Sequence, residues 1–246
     1  MACLRGWRAS TLGRITDSLE HDLLLDLIEA APGASILDAG CGDGKLAMDL
    51  AECGANVVGI DASPDMIASA RERALAQRSN VAFRTGRVEA LPFDTDAFDV
   101  VVSMTVFCFL RDPAAAADRE MRRVVQPGGV VVLGELGRWS SWPAIRRMKG
   151  WLGASRWRDA RFWTARELQK LTAEAGLTPT GTRGAVFYPP NALLARLVGR
   201  LDAALGQITT LGAAFIAVAA SKSFGLDNST ALCDVTPANR QDGDES

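Results

Sequence analysis

The sequence predicts an α/β domain built on a mostly parallel sheet, and three observations predict it. Between Ser35 and Glu135 short apolar runs alternate with helical patterns, the signature of linked βαβ units. The first of these strands runs into a glycine-rich turn, Gly40-Cys41-Gly42-Asp43-Gly44. The second closes on a carboxylate, Asp61. At 246 residues the chain can bury one large core, whereas two equal cores would each be small. Its balance of 48% apolar and 23% charged residues excludes a chain that is disordered throughout.

Taken in order, residues 17–31 carry Leu19, Leu23, Leu24, Leu27 and Ile28 at helical spacing, with Asp17 and Glu20 as a capping pair. A strand follows over 35–39, then a helix over 45–53, a strand over 56–60 and a helix over 64–77. A third strand is expected at 81–85 and a fourth at 98–103. A helix near 113–125, a Pro-Gly-Gly turn at 127–129 and a strand over 130–135 complete this half, which reads as Rossmann-like, with helices on both faces. After Gly137 the alternation pauses and resumes with helix 164–175, strand 178–186, helix 191–205 and strand 212–220. The polar stretch 223–246 lacks apolar periodicity and is expected to be disordered, so the domain is placed at 1–222.

Composition narrows the function. The apolar run 211–220 is half the length of a membrane span and is expected to be a buried strand. The basic N-terminus precedes no continuous apolar stretch, so no secretory signal is expected and a cytoplasmic location follows by default. The cysteines (Cys3, Cys41, Cys53, Cys108 and Cys233) are odd in number and form no CxxC pair, which argues against a disulfide framework and a zinc site; no metal is expected.

The glycine loop is where a ligand can approach the backbone at the carboxyl edge of the sheet. It opens a helix whose first N–H groups favour an anionic group. That much admits a dinucleotide or a nucleoside. The spacing GxGxG after an acid, rather than GxGxxG, favours a nucleoside with an amino-acid tail, and Asp61 stands where a carboxylate accepts ribose hydroxyls. The plainer roles are a helix cap for Asp38 and a turn before Ser63-Pro64 for Asp61.

Five ordered motifs then carry a resemblance: Ile36 to Gly44, Gly59 to Met66, Leu91-Pro-Phe-Asp94, Phe98 to Ser103 and Gln126-Pro-Gly-Gly129. Together they are similar to the class I S-adenosylmethionine-dependent methyltransferases of the ubiquinone/menaquinone type (methyltransferase type 11), strongly over 35–135 and weakly over 164–220. The resemblance implies a doubly wound seven-stranded sheet with the last strand antiparallel, and S-adenosyl-L-methionine as cofactor. It also implies that Asp38, Gly40 and Gly42, within the loop that includes Cys41 and Gly44, hold the methionine part. Asp61 would hold the ribose, Met66 or Ala62 the adenine face, and Val88 with Glu89 the adenine edge, with Ser103 and Thr105 beside the sulfonium. The sequence departs from the pattern at Arg87, where many relatives carry Asp, and at Phe107-Cys108-Phe109, which replaces a histidine-containing stretch.

Methyl transfer from a sulfonium needs alignment and desolvation more than catalytic side chains. No general base is named by the sequence: the sole histidine, His21, is expected as a partly exposed helix residue. Arg14 and Thr16 could close over the cofactor, with Arg14 on its carboxylate. Cys108 falls on the substrate edge, and a buried small hydrophobe is the commoner fate of such a thiol.

Residues 138–163 form the helical insertion after the fifth strand. With the flanking residues to Arg166 they hold five of the six tryptophans and eight basic residues against one acid, in a chain of net charge −2. Trp139, Trp142 and Trp151 are therefore candidate acceptor contacts, and the insertion a candidate roof over a small apolar or amphiphilic acceptor, quinone-precursor-like or lipid-like. The same composition suits a peripheral membrane contact, or tryptophans that simply pack the insertion down. A basic insertion in an otherwise acidic chain argues against nucleic acid. The alternative function is a catalytically silent, cofactor-binding regulatory protein of the same fold. Oligomeric state is not legible.

Overall fold

The computed structural model describes Trp7, residues 9–151 and residues 157–224. The order of elements is α1 (Thr11–Ile28), β1 (Ser35–Ala39), α2 (Lys45–Glu52), β2 (Asn56–Asp61), α3 (Pro64–Gln77), β3 (Ala82–Thr85) and β4 (Phe98–Met104). A 3-10 turn, Phe107–Phe109, and a helix in three pieces lead to β5 (Val125–Leu136). Then come α4 (Trp142–Trp151), α5 (Ala165–Glu174), β6 (Thr178–Ala185), α6 (Ala192–Ile208) and β7 (Phe215–Ser221). The seven strands form one sheet in the order β3-β2-β1-β4-β5-β7-β6. β7 runs antiparallel to both β5 and β6, and the pairs among β1 to β5 are parallel.

Both faces of the central strands are covered, which is why β1, β4 and β5 read as continuous apolar runs rather than alternating ones. Ile36, Val100, Val102 and Val132 face one core with Leu24, Leu46 and Ile67. Leu37, Val101, Val131 and Leu133 face the other with Met121, Leu168 and Trp163.

Four boundaries differ from the sequence expectation. The first helix begins at Thr11 because Ser10 caps it, its hydroxyl accepting from the Gly13 N–H; Asp17 lies mid-helix, 3.8 Å from Lys45 Nζ, and caps nothing there. The helix before β5 is not continuous: Pro113–Ala115 passes through a π-helical stretch, Ala116–Met121, into Arg122–Val124. β5 starts at Val125, which pairs with Phe98 before the Pro-Gly-Gly residues shift the register and pairing resumes at Val100 with Val130. β7 starts at Phe215, so Leu211 lies in a turn and is 72% exposed. Within the expected tail, residues 225–246 lie outside the described residues.

Candidate active site

The carboxyl edge of β1, β2 and β4 gathers most of the expected cofactor residues. Gly40, Gly42 and Gly44 all adopt left-handed backbone (φ 91°, 53° and 77°). At Gly40 a side chain would collide with Val106, so glycine is required there for packing as well as for the turn. At Gly42 a side chain would meet nothing, which leaves that backbone open to a ligand. The loop is pinned to β2, where Ile60 O accepts from both Gly40 N and Cys41 N (2.7 and 2.9 Å). α2 then starts at Gly44, which offers no side-chain cap.

Asp38 fills two roles at once. It accepts a bond from the Ala47 backbone, the helix cap, while its Oδ2 is buried without a partner among the described residues. Burial, and secondarily the charge of Asp61, push its carboxyl up to about 7. Asp61 likewise serves the turn: Oδ1 accepts from Ser63 N (2.8 Å) and Oδ2 from Gly42 N (2.9 Å). A carboxylate oxygen takes two donors, so both keep capacity for ribose hydroxyls. Cys41 is a buried thiol, held protonated by burial and by Asp38.

Beyond β2, Ala62 is exposed and Met66 half-buried, while Val88 is buried. Glu89 is ion-paired with the exposed Arg87 (2.8 Å), so the residue that replaces the family's Asp is turned on its neighbour. Leu91 and Phe93 are fastened by Glu120 and Arg123 of the three-piece helix, which bond the Leu91 N–H and the carbonyls of both residues. Ser103 is fully buried and donates its hydroxyl to Ala39 O across the β1–β4 pair (2.8 Å). Thr105 marks the strand end in a left-handed conformation (φ 54°).

Next to this edge is a second cluster that the sequence did not reveal. Glu135, fully buried at the end of β5, accepts from the N–H groups of Val106, Phe107 and Cys108 (3.0, 2.8 and 3.0 Å) and so builds the 3-10 turn. Burial raises its carboxyl to about 7 against these bonds. Cys108 Sγ donates to Thr105 O (3.5 Å) and is kept a neutral thiol by burial and by Glu135. The 138–163 segment closes on itself at its base, where Gly137 and Trp163 form a β-bridge, and Arg161 N bonds Cys108 O (2.8 Å).

Within that segment Trp142 is buried, edge-on to Trp7, with Nε1 donating to Tyr188 O (2.8 Å). The Arg146 guanidinium lies over both Trp142 and Trp157, 5.2 Å from each centroid, and its Nη1 is buried with no partner among the described residues. Burial lowers its pKa, opposed first by the charge of Glu20 on α1. Thr16, also on α1, is buried against Tyr188 (Oγ1 to OH, 3.0 Å). Trp139 and Trp151, by contrast, are 60% and 77% exposed.

Two expectations about α1 change. His21 is buried rather than partly exposed, because α1 packs beside α2 and Asp49 Oδ2 meets Nδ1 at 2.8 Å. Arg14 turns its guanidinium to Ala9 O and Thr11 Oγ1; it lines a polar surface groove with His21, Asp43, Lys45 and Arg73.

A family model described as "Methyltransferase domain" matches residues 36–129. A ubiquinone biosynthesis O-methyltransferase of Cereibacter sphaeroides is 34% identical over 187 residues, covering 72% of this chain and 74% of that protein. The chain belongs to the class I S-adenosylmethionine-dependent methyltransferases. An uncharacterised protein of Mycobacterium tuberculosis is 35% identical over 219 residues, 89% of this chain and 71% of its own length. Among solved structures, a S-adenosylmethionine-dependent methyltransferase of Thermotoga maritima superposes with a TM-score of 0.67 at 23% identity, covering 89% of this chain and 94% of that one. A geranyl diphosphate C-methyltransferase of Streptomyces coelicolor gives 0.63 at 20%, covering 84% and 79%. These two show the shared fold.

The chain is a methyltransferase and its cofactor is S-adenosylmethionine. The residues present fit it: an unpartnered buried Asp38 oxygen suits the ammonium of the methionine part, and the open face at Gly42 suits close approach of the cofactor to backbone. Glu135, Arg146 and Tyr188 escaped the sequence reading, and Glu20 was read only as part of a cap, because the four come from β5, α4, the β6–α6 turn and α1. One signal was available, the lone Glu that ends the apolar strand 130–135.

Proposed function

We propose that the chain transfers methyl groups to a small amphiphilic acceptor, aromatic or lipid-like, with an anionic or strongly polar end, held beneath the 138–163 segment. The observation that carries this reading is the Arg146 guanidinium, stacked on two indoles with one buried N–H lacking a partner among the described residues, near Cys108 at the carboxyl edge of the sheet. S-adenosylmethionine supplies a methyl group already activated on its sulfonium. The protein's own residues then have to align the acceptor and exclude water. Arg146, held over the buried Trp142, anchors the acceptor's polar end, the half-buried Trp157 lies beside its flat or apolar body, and Glu135 fixes the adjoining 107–109 turn.

The relatives' names agree in kind: one acts in ubiquinone biosynthesis on oxygen, and a structural neighbour acts on carbon of geranyl diphosphate. The silent regulatory alternative draws no support from the family. The test incubates the purified protein and methyl-labelled cofactor with a cellular lipid extract. Label is expected in a product soluble in organic solvent. Arg146→Met is expected to raise the acceptor KM roughly tenfold, the effect of about 1.5 kcal/mol for one charge-assisted bond, with cofactor affinity unchanged. Label confined to protein or nucleic acid would sink the proposal.

A further inference from the structure

α6 is turned inside out relative to an ordinary surface helix. Its inward stripe is small or polar: Ala195, Gly199, Asp202 and Gly206. Gly199 faces Ile15 and Leu19 of α1, and Gly206 rests on the Gly184 backbone of β6 with no room for a side chain. Asp202, the helix's sole acid, is buried; its carboxylate accepts from Val186 N and Phe187 N (2.7 and 2.9 Å), staking the helix to a turn in which Val186 is left-handed (φ 65°). The large side chains point the other way. Leu193, Leu197, Leu201 and Ile208 are 62 to 84% exposed, Leu211 follows just beyond, and only Arg196 and Arg200 add charge to that surface.

A soluble helix buries its leucines and exposes its polar face, and a contiguous apolar stripe of this kind marks a surface that is covered in use. We propose that α6 lies on an anionic lipid surface, leucines inserted and Arg196 and Arg200 against lipid phosphates. Two observations favour lipid over a second copy of the chain, and a third sets how the helix would lie. The exposed charges of the helix are all positive, so two α6 faces would bring arginines together without an acid to neutralise them. Leucine with arginine and no exposed acid is the composition of an interfacial helix. No helix among the described residues is long and apolar enough to cross a membrane, so α6 lies along the surface. The bond from Trp142 Nε1 to Tyr188 O joins the start of α4 to the turn before α6. The inference concerns binding alone and stands whether or not the acceptor is lipid-like.

The test is flotation of the full chain, loaded with S-adenosylhomocysteine, with vesicles of phosphatidylcholine containing one quarter phosphatidylglycerol. Flotation is expected at moderate salt, with a weaker fraction on phosphatidylcholine alone. Leu197→Gln/Leu201→Gln is expected to lower the bound-to-free ratio about tenfold or more, and Arg196→Gln/Arg200→Gln to abolish the preference for anionic vesicles. Both pairs point outward, so thermal unfolding and S-adenosylhomocysteine affinity should match wild type, which separates lost docking from lost fold or cofactor site. Wild type remaining unbound overturns the proposal. So does flotation that survives Leu197→Gln/Leu201→Gln but is lost in Trp139→Ser/Trp151→Ser, or a soluble dimer that the leucine pair dissolves.

Discussion

Residues 35–135 and residues 138–215 leave different kinds of buried polar group open, carboxylate oxygens in the first and chiefly N–H donors in the second. In the first region two strand-ending carboxylates keep capacity: Asp38 Oδ2 has no partner among the described residues, and the two Asp61 oxygens hold one backbone donor each. In the second, Asp202 is consumed on two backbone N–H groups and Trp142 on Tyr188 O, while Ser140 Oγ, Arg146 Nη1 and Trp163 Nε1 are buried without a partner among the described residues. Glu135, at the seam, is spent in the same way on the 107–109 turn. On the reading proposed above, the cofactor would meet carboxylate oxygens left open in the frame shared with the family, and the acceptor a donor left open in the second region, the Arg146 N–H.

The largest effect that would break this contrast is at the seam. Glu135→Ala strands three N–H groups, two of them buried, and is expected to destabilise the protein by about 3 to 5 kcal/mol, read by thermal or urea unfolding. A change below about 1 kcal/mol would mean the turn stands without its carboxylate. Asp61→Ala is expected to weaken S-adenosylhomocysteine binding by about 2 to 4 kcal/mol in calorimetry. It should also lower thermal stability, because Gly42 N and Ser63 N lose their acceptor; affinity unchanged would show that the carboxylate serves the turn alone.

A smaller effect sharpens the role of Asp38. Its carboxyl in the folded protein titrates near 7 rather than 3.8, so the native state holds the proton more tightly than the unfolded chain, and the ionised form costs stability as pH rises from 4 through 7. If the ammonium of the cofactor requires the carboxylate, affinity should rise about tenfold per pH unit below 7 and level off above it. Asp38→Asn should flatten that profile. Burial of Glu135 pushes in the same direction, so wild-type stability is expected to decline between about pH 4.5 and 7, a trend that Asp38→Asn should reduce but not remove. Least affected should be Trp139→Ala and Trp151→Ala, both exposed, with stability changes within about 0.5 kcal/mol; Trp163→Ala, fully buried, should cost several times more.

Much of the frame was legible because its signals are local. The alternation from Ser35 to Glu135, the glycine turn and the carboxylate closing β2 are read from neighbours in sequence; the Thr164–Glu167 capping box that starts α5 is equally local but was found only in the structure. The antiparallel last strand came from the family resemblance, since no residue pattern separates a parallel from an antiparallel buried run. The π-helical stretch at Ala116–Met121 escaped detection because its residues are ordinary helix formers, as did the early start of β5, where Val125 pairs before the Pro-Gly-Gly shift.

The amino-acid order by itself determined where ligand can reach backbone, because glycine spacing and strand-ending acids act over a few residues. It also determined that the tryptophans and arginines of 138–163 form a unit of their own charge. Only tertiary structure decided which of those residues matter. Trp142 and Trp163 became core, Trp139 and Trp151 stayed in solvent, and Arg146 was enclosed with an N–H unmatched among the described residues, since burial depends on what α1 and the β6–α6 turn bring from elsewhere in the chain. The leucines of α6 make the same point in reverse: a soluble helix ordinarily buries such a stripe, but the glycines opposite them admit the closer approach to α1 and β6, and the leucines are left outside.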